Sequence, residues 1–127
     1  GIVPSFAADA PPPIWLLDTC RHLDEHFQNP ITLDQLAGRA KISKGYLCRA
    51  FKKQLGLSVV EYLTERRIQH AAQLLQDTDD KILSVALDSG FGDLSHFNRV
   101  FKKLNNLSPS AYRTRQAEPA PQNVSKD

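Results

Sequence analysis

With 127 residues and a net charge of only +2, the chain is large enough for one domain with a sizeable core, or for two very small ones that lean on each other. No apolar run approaches the ~20 residues that cross a bilayer, and no basic-then-apolar start resembles a secretion signal, so neither a membrane span nor an export route is indicated. The two cysteines, Cys20 and Cys48, form no CxxC and no Cys/His cluster; they exclude a disulfide framework and fit a reducing, cytoplasmic setting.

Residues 1–13, GIVPSFAADAPPP, carry Ala and Pro without periodicity and read as a linker ending in a short polyproline stretch, Pro11–Pro13. A first helix is predicted from Ile14 to about Gln28, with Ile14, Leu16, Leu17, Cys20, Leu23 and Phe27 at helical spacing, stopped by Asn29-Pro30. Thr32 and Gln35 form a capping box for a short second helix whose inner face is Leu33, Leu36 and Ala37. Ser43 caps a third helix, Lys44 to Leu55, closed by Gly56; Ser58 with Glu61 opens a long fourth helix to about Gln76. Asp80 is the expected cap of a fifth helix, Lys81 to Asp88, and Asp93 that of a sixth, to about Asn105. Ser108-Pro109 starts a last short helix through Arg115, and residues 116–127 read as a disordered tail. No run of alternating β-branched residues argues for a strand, so the expected fold is all-α with about seven helices.

Two windows break the charge balance. Gln35 to Val60 holds six basic residues (Arg39, Lys41, Lys44, Arg49, Lys52, Lys53) and Leu94 to Ala117 holds five (Arg99, Lys102, Lys103, Arg113, Arg115), with no acid in either. Patches of one sign suit a polyanion. The same windows are copies of one another. Residues 43–62, SKGYLCRAFKKQLGLSVVEY, match residues 93–112, DLSHFNRVFKKLNNLSPSAY, at seven of twenty positions, among them Arg49/Arg99, Phe51/Phe101 and Tyr62/Tyr112; composition alone would give roughly one. Upstream the offset falls from 50 to 49, pairing Leu36 with Val85 and Ala37 with Ala86, so one residue near Gly92 is inserted in the second turn. The chain is a duplicated helix-turn-helix: a first subdomain at 14–57, a connecting helix at 58–76 and a second subdomain at 77–115.

In the third helix Leu47, Ala50, Phe51 and Leu55 share one face, and Gly45, Cys48, Arg49 and Lys52 the other. In the sixth, Phe97, Val100, Phe101 and Leu104 are expected inward, and Ser95, Asn98, Arg99 and Lys102 outward. Arg can fork onto guanine and Asn onto adenine, while lysines just beyond suit phosphates.

These residues resemble the AraC/XylS family of transcription regulators. The stretch ILSVALDSGFGDLSHFNRVFKKLNNLSPSAYR is similar to that family's most diagnostic segment, and the linking helix YLTERRIQHAAQLL matches through Arg67, Ala71 and the Leu74-Leu75 pair. The likeness covers about residues 14–115. It implies sequence-specific binding of double-stranded DNA, with the two units in adjacent major-groove segments. Base contacts are expected from Lys44, Gly45, Cys48 and Arg49 in the first unit and from Ser95, His96, Asn98 and Arg99 in the second. Phosphate contacts are expected from Ser43, Lys52, Lys53, Lys102, Lys103 and Arg113. The family also implies RNA polymerase as a partner. It implies a regulatory domain ahead of the linker too, which agrees with a chain that starts at Gly1 and has no methionine.

Some positions depart from the family pattern. Lys41 stands where the first turn usually has glycine, predicting left-handed strain or a different shape there. Asn106 replaces a glycine after the sixth helix, a tolerable exchange because Asn visits the left-handed region. Gly45 and Cys48 leave the first reading face poor in hydrogen-bonding groups.

Other readings are plainer. His22 and His26 lie four apart, but the order His-Leu-Asp-Glu-His lacks the glutamate that a zincin motif needs directly after the first histidine, and no third ligand follows. No metal and no cofactor are therefore expected. Cys48 is read as a small side chain near DNA before a redox-sensitive thiol. His96 either faces the groove or helps cap its helix. Arg67 is expected to make a structural pairing across the central helix, for instance with a nearby acid, rather than to contact DNA. No nucleophile elbow, phosphate-binding glycine loop or carboxylate-pair motif supports catalysis. Rival functions are a helical protein-interaction module with basic patches and a non-specific DNA binder.

Overall fold

The computed structural model describes residues 11–117. The linker and tail expectations for 1–10 and 118–127 lie outside the described residues. Seven helices follow one another: α1 (Ile14–His26), α2 (Leu33–Ala40), α3 (Lys44–Leu55), α4 (Val59–Asp77), α5 (Ile82–Asp88), α6 (Leu94–Asn105) and α7 (Pro109–Ala117). Among the described residues there is no strand. The chain divides into two compact units after Gln69, inside α4, so the connecting helix contributes residues to both units.

In the first unit Leu16, Cys20, Leu23 and Phe27 form the stripe that α1 buries. They meet Leu36 and Ala37 of α2, Leu47 and Phe51 of α3, and Val59, Tyr62 and Leu63 at the start of α4. Each buried Leu, Val or Phe among them stabilises the fold by ~1.5–3 kcal/mol. Ile14 and Leu17 depart from expectation: they are 84% and 44% exposed, because each lies about 100° or more off the 16–20–23–27 stripe. Tyr62 donates its hydroxyl to Asp24 at 2.9 Å, and Arg66 Nε donates to the same carboxylate at 3.0 Å, tying α4 to α1. Arg67 makes the expected structural pairing, with carbonyls rather than with an acid. Its Nε donates to the Phe27 carbonyl at 2.7 Å and its Nη2 to that of Asn29 at 3.1 Å. The end of α1 leaves carbonyls without helical donors, and the nearby acid, Asp24, is already taken by Arg66.

The second unit repeats this plan. Ala71 and Leu75 of α4, Val85 and Ala86 of α5, and Phe91, Phe97 and Phe101 are buried. The rings of Phe91, Phe97, Phe101 and Tyr112 form a chain with centroids 5.2–5.6 Å apart. The edge contact of Phe51 with Tyr62 recurs, fifty residues on, as Phe101 with Tyr112. Leu104, expected inward, is 44% exposed; it lies in the last turn of α6, past the rings that fill the core. Helix α7 runs through Ala117, two residues beyond the expected end at Arg115.

The Asp80 cap is also corrected. Helix α5 starts one residue later than expected, Lys81 takes the cap position, and no side chain caps it. Asp80 is held otherwise: its amide donates to Thr78 Oγ1 at 3.2 Å and its carbonyl accepts Arg113 Nη1 at 2.5 Å.

Candidate nucleic-acid interface

Each turn is built to launch its second helix. In the first unit Lys41 takes φ 60°, ψ 41°, and the Ile42 amide donates back to the Ala37 carbonyl at 3.1 Å. In the second Gly90 takes φ 99°, and the Phe91 amide donates to the Ala86 carbonyl at 3.0 Å. The left-handed residue therefore falls at equivalent places, a lysine in one turn and a glycine in the other. Ser43 then accepts the Tyr46 amide at 3.1 Å, while Asp93 accepts that of His96 at 2.7 Å. Between Ile42 and Ser43 nothing intervenes; between Phe91 and Asp93 stands Gly92, the inserted residue.

Helix α3 buries Leu47 and Phe51 and exposes Lys44, Gly45, Tyr46, Arg49, Lys52 and Lys53, with Cys48 half-buried. Helix α6 buries Phe97 and Phe101 and exposes Ser95, His96, Asn98, Arg99, Lys102 and Lys103. Ser43 is exposed at the α3 cap. All the expected contact residues of each helix thus lie off its buried stripe. Lys52, Lys53, Lys102 and Lys103 also sit in the last turns of their helices, where positive charge meets the negative end of the helix dipole.

Arg113 is different. Besides Asp80 its guanidinium donates to the Leu75 carbonyl at 3.3 Å, and the side chain is half-buried. It closes the end of α4 much as Arg67 closes that of α1. For His96 the backbone amide makes the cap, while the ring leans edge-on against Phe91, centroids 5.6 Å apart.

Acidic residues flank the first unit's cations. Lys44 Nζ is 3.5 Å from Asp34 and Lys52 Nζ 3.6 Å from Glu61. Arg39 shares Asp18 with Arg21, and hydrogen bonds from these two guanidiniums hold the Asp18 carboxyl below its ordinary range. The Ser58 amide, followed by the Lys52 charge, lowers Glu61 in the same way. Cys20, by contrast, is pushed up to about 11 by burial, which leaves it a protonated packing group.

Tyr46 was missing from the expected contacts. It is 47% exposed, tilts against Trp15 with centroids 6.1 Å apart, and lines a shallow cleft with Pro13, Arg49, Ala50, Lys53 and Gln54. An aromatic off the buried stripe of α3 was the available signal. His22 and His26 stack at 4.4 Å beside Asn29, Ile31, Gln35 and Arg39. Among the described residues no three metal-ligating groups converge, and no helix is long and apolar enough to cross a membrane.

Two compact units, each presenting an exposed basic helix after a tight turn, define a double helix-turn-helix protein. The helix-turn-helix domain family matches residues 36–115, and the chain belongs to its AraC-type branch of transcription regulators. It is 40% identical to the transcriptional regulator MtrA of Neisseria gonorrhoeae over 81 residues, 64% of this chain and 27% of MtrA. It is 35% identical to the melibiose operon regulatory protein of Escherichia coli over 89 residues, 70% of this chain and 30% of that protein. Against the regulatory protein SoxS of Escherichia coli it is 34% identical over 98 residues, 77% of this chain and 92% of SoxS. The chain thus spans under a third of MtrA and of the melibiose regulator but nearly all of SoxS. Among solved structures, the C-terminal domain of AraT, a response regulator from Geobacillus stearothermophilus, superposes with a TM-score of 0.79 at 27% identity, covering 91% of this chain and 99% of that one. The DNA-binding domain of AdpA, solved in complex with a target DNA, gives 0.76 at 26% identity, covering 84% and 93%.

Proposed function

We propose that this chain binds a specific double-stranded DNA site through α3 and α6 and thereby regulates transcription. One observation carries the reading: at equivalent positions of two duplicated helices an arginine, Arg49 or Arg99, is exposed beside the buried phenylalanine pattern and followed by a lysine pair. The guanidinium fork suits a guanine edge and the lysines suit phosphates. The AdpA domain's complex with DNA supports the same use of this fold.

In this reading Lys44, Gly45, Cys48 and Arg49 meet base edges in one groove segment, and Ser95, His96, Asn98 and Arg99 in the next, about ten base pairs on. Ser43, Lys52, Lys53, Lys102 and Lys103 hold phosphates. The two faces differ, so one chain reads two unlike half-sites. Relatives more than twice as long support a regulatory domain elsewhere in the whole protein, with RNA polymerase as partner in the cytoplasm. No reaction is assigned to it.

The test is selection of bound duplexes from a random pool with this chain, then footprinting. A recovered consensus with protection over about two turns is expected. Equal binding of site and competitor would leave a non-specific binder, and protection of one turn would mean that one unit alone binds.

A further inference from the structure

Gly45 is a glycine that its backbone does not need. It sits in the first turn of α3 without the positive φ of Gly56 or Gly90. Helices disfavour glycine. A Cβ built at Gly38 or Gly92 meets nothing within 4 Å, whereas one at Gly45 falls 3.1 Å from Arg49 Nη1 and 4.0 Å from Arg49 Cζ, with no other atom inside that range. The guanidinium of Arg49 therefore lies back along α3, over the bare backbone one turn before it. No carboxylate among the described residues holds it there. The equivalent position in α6 is Ser95, four residues before Arg99, so the second unit offers its arginine no such seat.

From this we infer that Gly45 is the positioning residue for Arg49: its missing side chain seats the guanidinium against the first turn of α3, and this seat sets which base pair the first unit reads. The inference rests on Arg49 being a base reader. A long side chain with four torsions can fork onto guanine only when its plane is held within about 10–20° of the productive geometry. A methyl at residue 45 stands 3.1 Å from Arg49 Nη1, so the guanidinium must give way by a few tenths of an ångström and its plane is no longer held in the seat.

The experiment uses this chain and the duplex it selects from a random pool, with single-base variants of that duplex. Arg49→Ala identifies the base pair at which discrimination is lost. Gly45→Ala and Gly45→Ser should each cut discrimination at that same base pair by about tenfold and nowhere else. Their melting temperatures should match or exceed the parent's, since either residue is the better helix former. In an Arg49→Ala background the Gly45 changes should have no further effect on binding, as a double-mutant cycle requires of one coupled unit. Discrimination unchanged by Gly45→Ser, or reduced equally with and without Arg49, overturns the seat while leaving Arg49 as a reader. If Arg49→Ala itself costs no discrimination, the base-reading role of Arg49 fails and the seat falls with it.

Discussion

In the first unit Lys44 and Lys52 stand 3.5 and 3.6 Å from Asp34 and Glu61; in the second, no carboxylate among the described residues pairs with Arg99, Lys102 or Lys103. The helices are copies, with arginine, phenylalanine and lysine pair in register, yet their electrostatic settings have diverged. Exposed ion pairs contribute only ~0–1 kcal/mol to stability. Their effect on a polyanion is different, because a phosphate that approaches Lys52 also approaches Glu61. The polar side chains are just as unequal: α6 offers Ser95, His96 and Asn98 around its arginine, where α3 offers Gly45, Tyr46 and Cys48. The duplication preserved the packing and let the reading faces drift apart, and α6 emerges as the better equipped of the two.

The largest effects should come from what the units share. Phe51→Ala and Phe101→Ala should each cost ~3–5 kcal/mol, since both rings are fully buried. Hydrogen exchange should show protection lost mainly in α1–α3 for the first and in α5–α7 for the second; equal loss everywhere would mean that the units unfold as one. Next comes the reading face. Arg99→Ala should cost ~1–3 kcal/mol against the selected duplex and relax one or two base positions. An equal fall for random DNA would make Arg99 a phosphate clamp. Arg49→Ala should be the milder of the two.

Exchanging the turn residues probes a smaller difference. Lys41→Gly should stabilise by up to ~1 kcal/mol and Gly90→Lys destabilise by ~1–2 kcal/mol, since a side chain at positive φ crowds the carbonyl; urea midpoints measure both. For the ion pairs, Lys102→Ala should flatten the salt dependence of DNA affinity by about one unit and Lys52→Ala by visibly less. Equal slopes would show that Glu61 does not matter to a phosphate. The smallest effect belongs to His22. Its burial, then the charges of Arg39 and His26, lower its pKa, so the folded state takes up its proton less readily than the unfolded one. The associated stability is complete above the ordinary imidazole range and declines as pH falls through it. His22→Gln should remove that part of the slope in melts taken between pH 7 and 5.

How much of this the sequence disclosed depended on the kind of interaction. Caps that lie within four residues, such as Thr32 with Gln35 or Ser58 with Glu61, are local patterns and were legible. So was the left-handed residue at Lys41, because the family pattern places a glycine there. The partners of Arg67 and Arg113 were not legible, because they are backbone carbonyls some forty residues away in sequence, which no side-chain pattern marks. Asp80 looked like a cap by type and place, but Arg113 holds its carbonyl and the helix starts later. The exposure of the reading faces followed from periodicity. The setting of each charge did not, since Asp34 meets Lys44 and Glu61 meets Lys52 only once the helices are packed.

Helix α4 appeared above as the place where the two units divide. Ser58 caps its start and Tyr62 in its first turns packs on Phe51 of one core; Ser108 caps α7 and Tyr112 packs on Phe101 of the other in the same fashion. The period of the duplication is therefore three helices, α1–α3 and α4–α6, with α7 repeating the start of α4. Solenoid arrays close their ends with partial repeats of this sort. A half-molecule cut at residue 57 would lack its closing turn, whereas one cut at Gln69 would keep it.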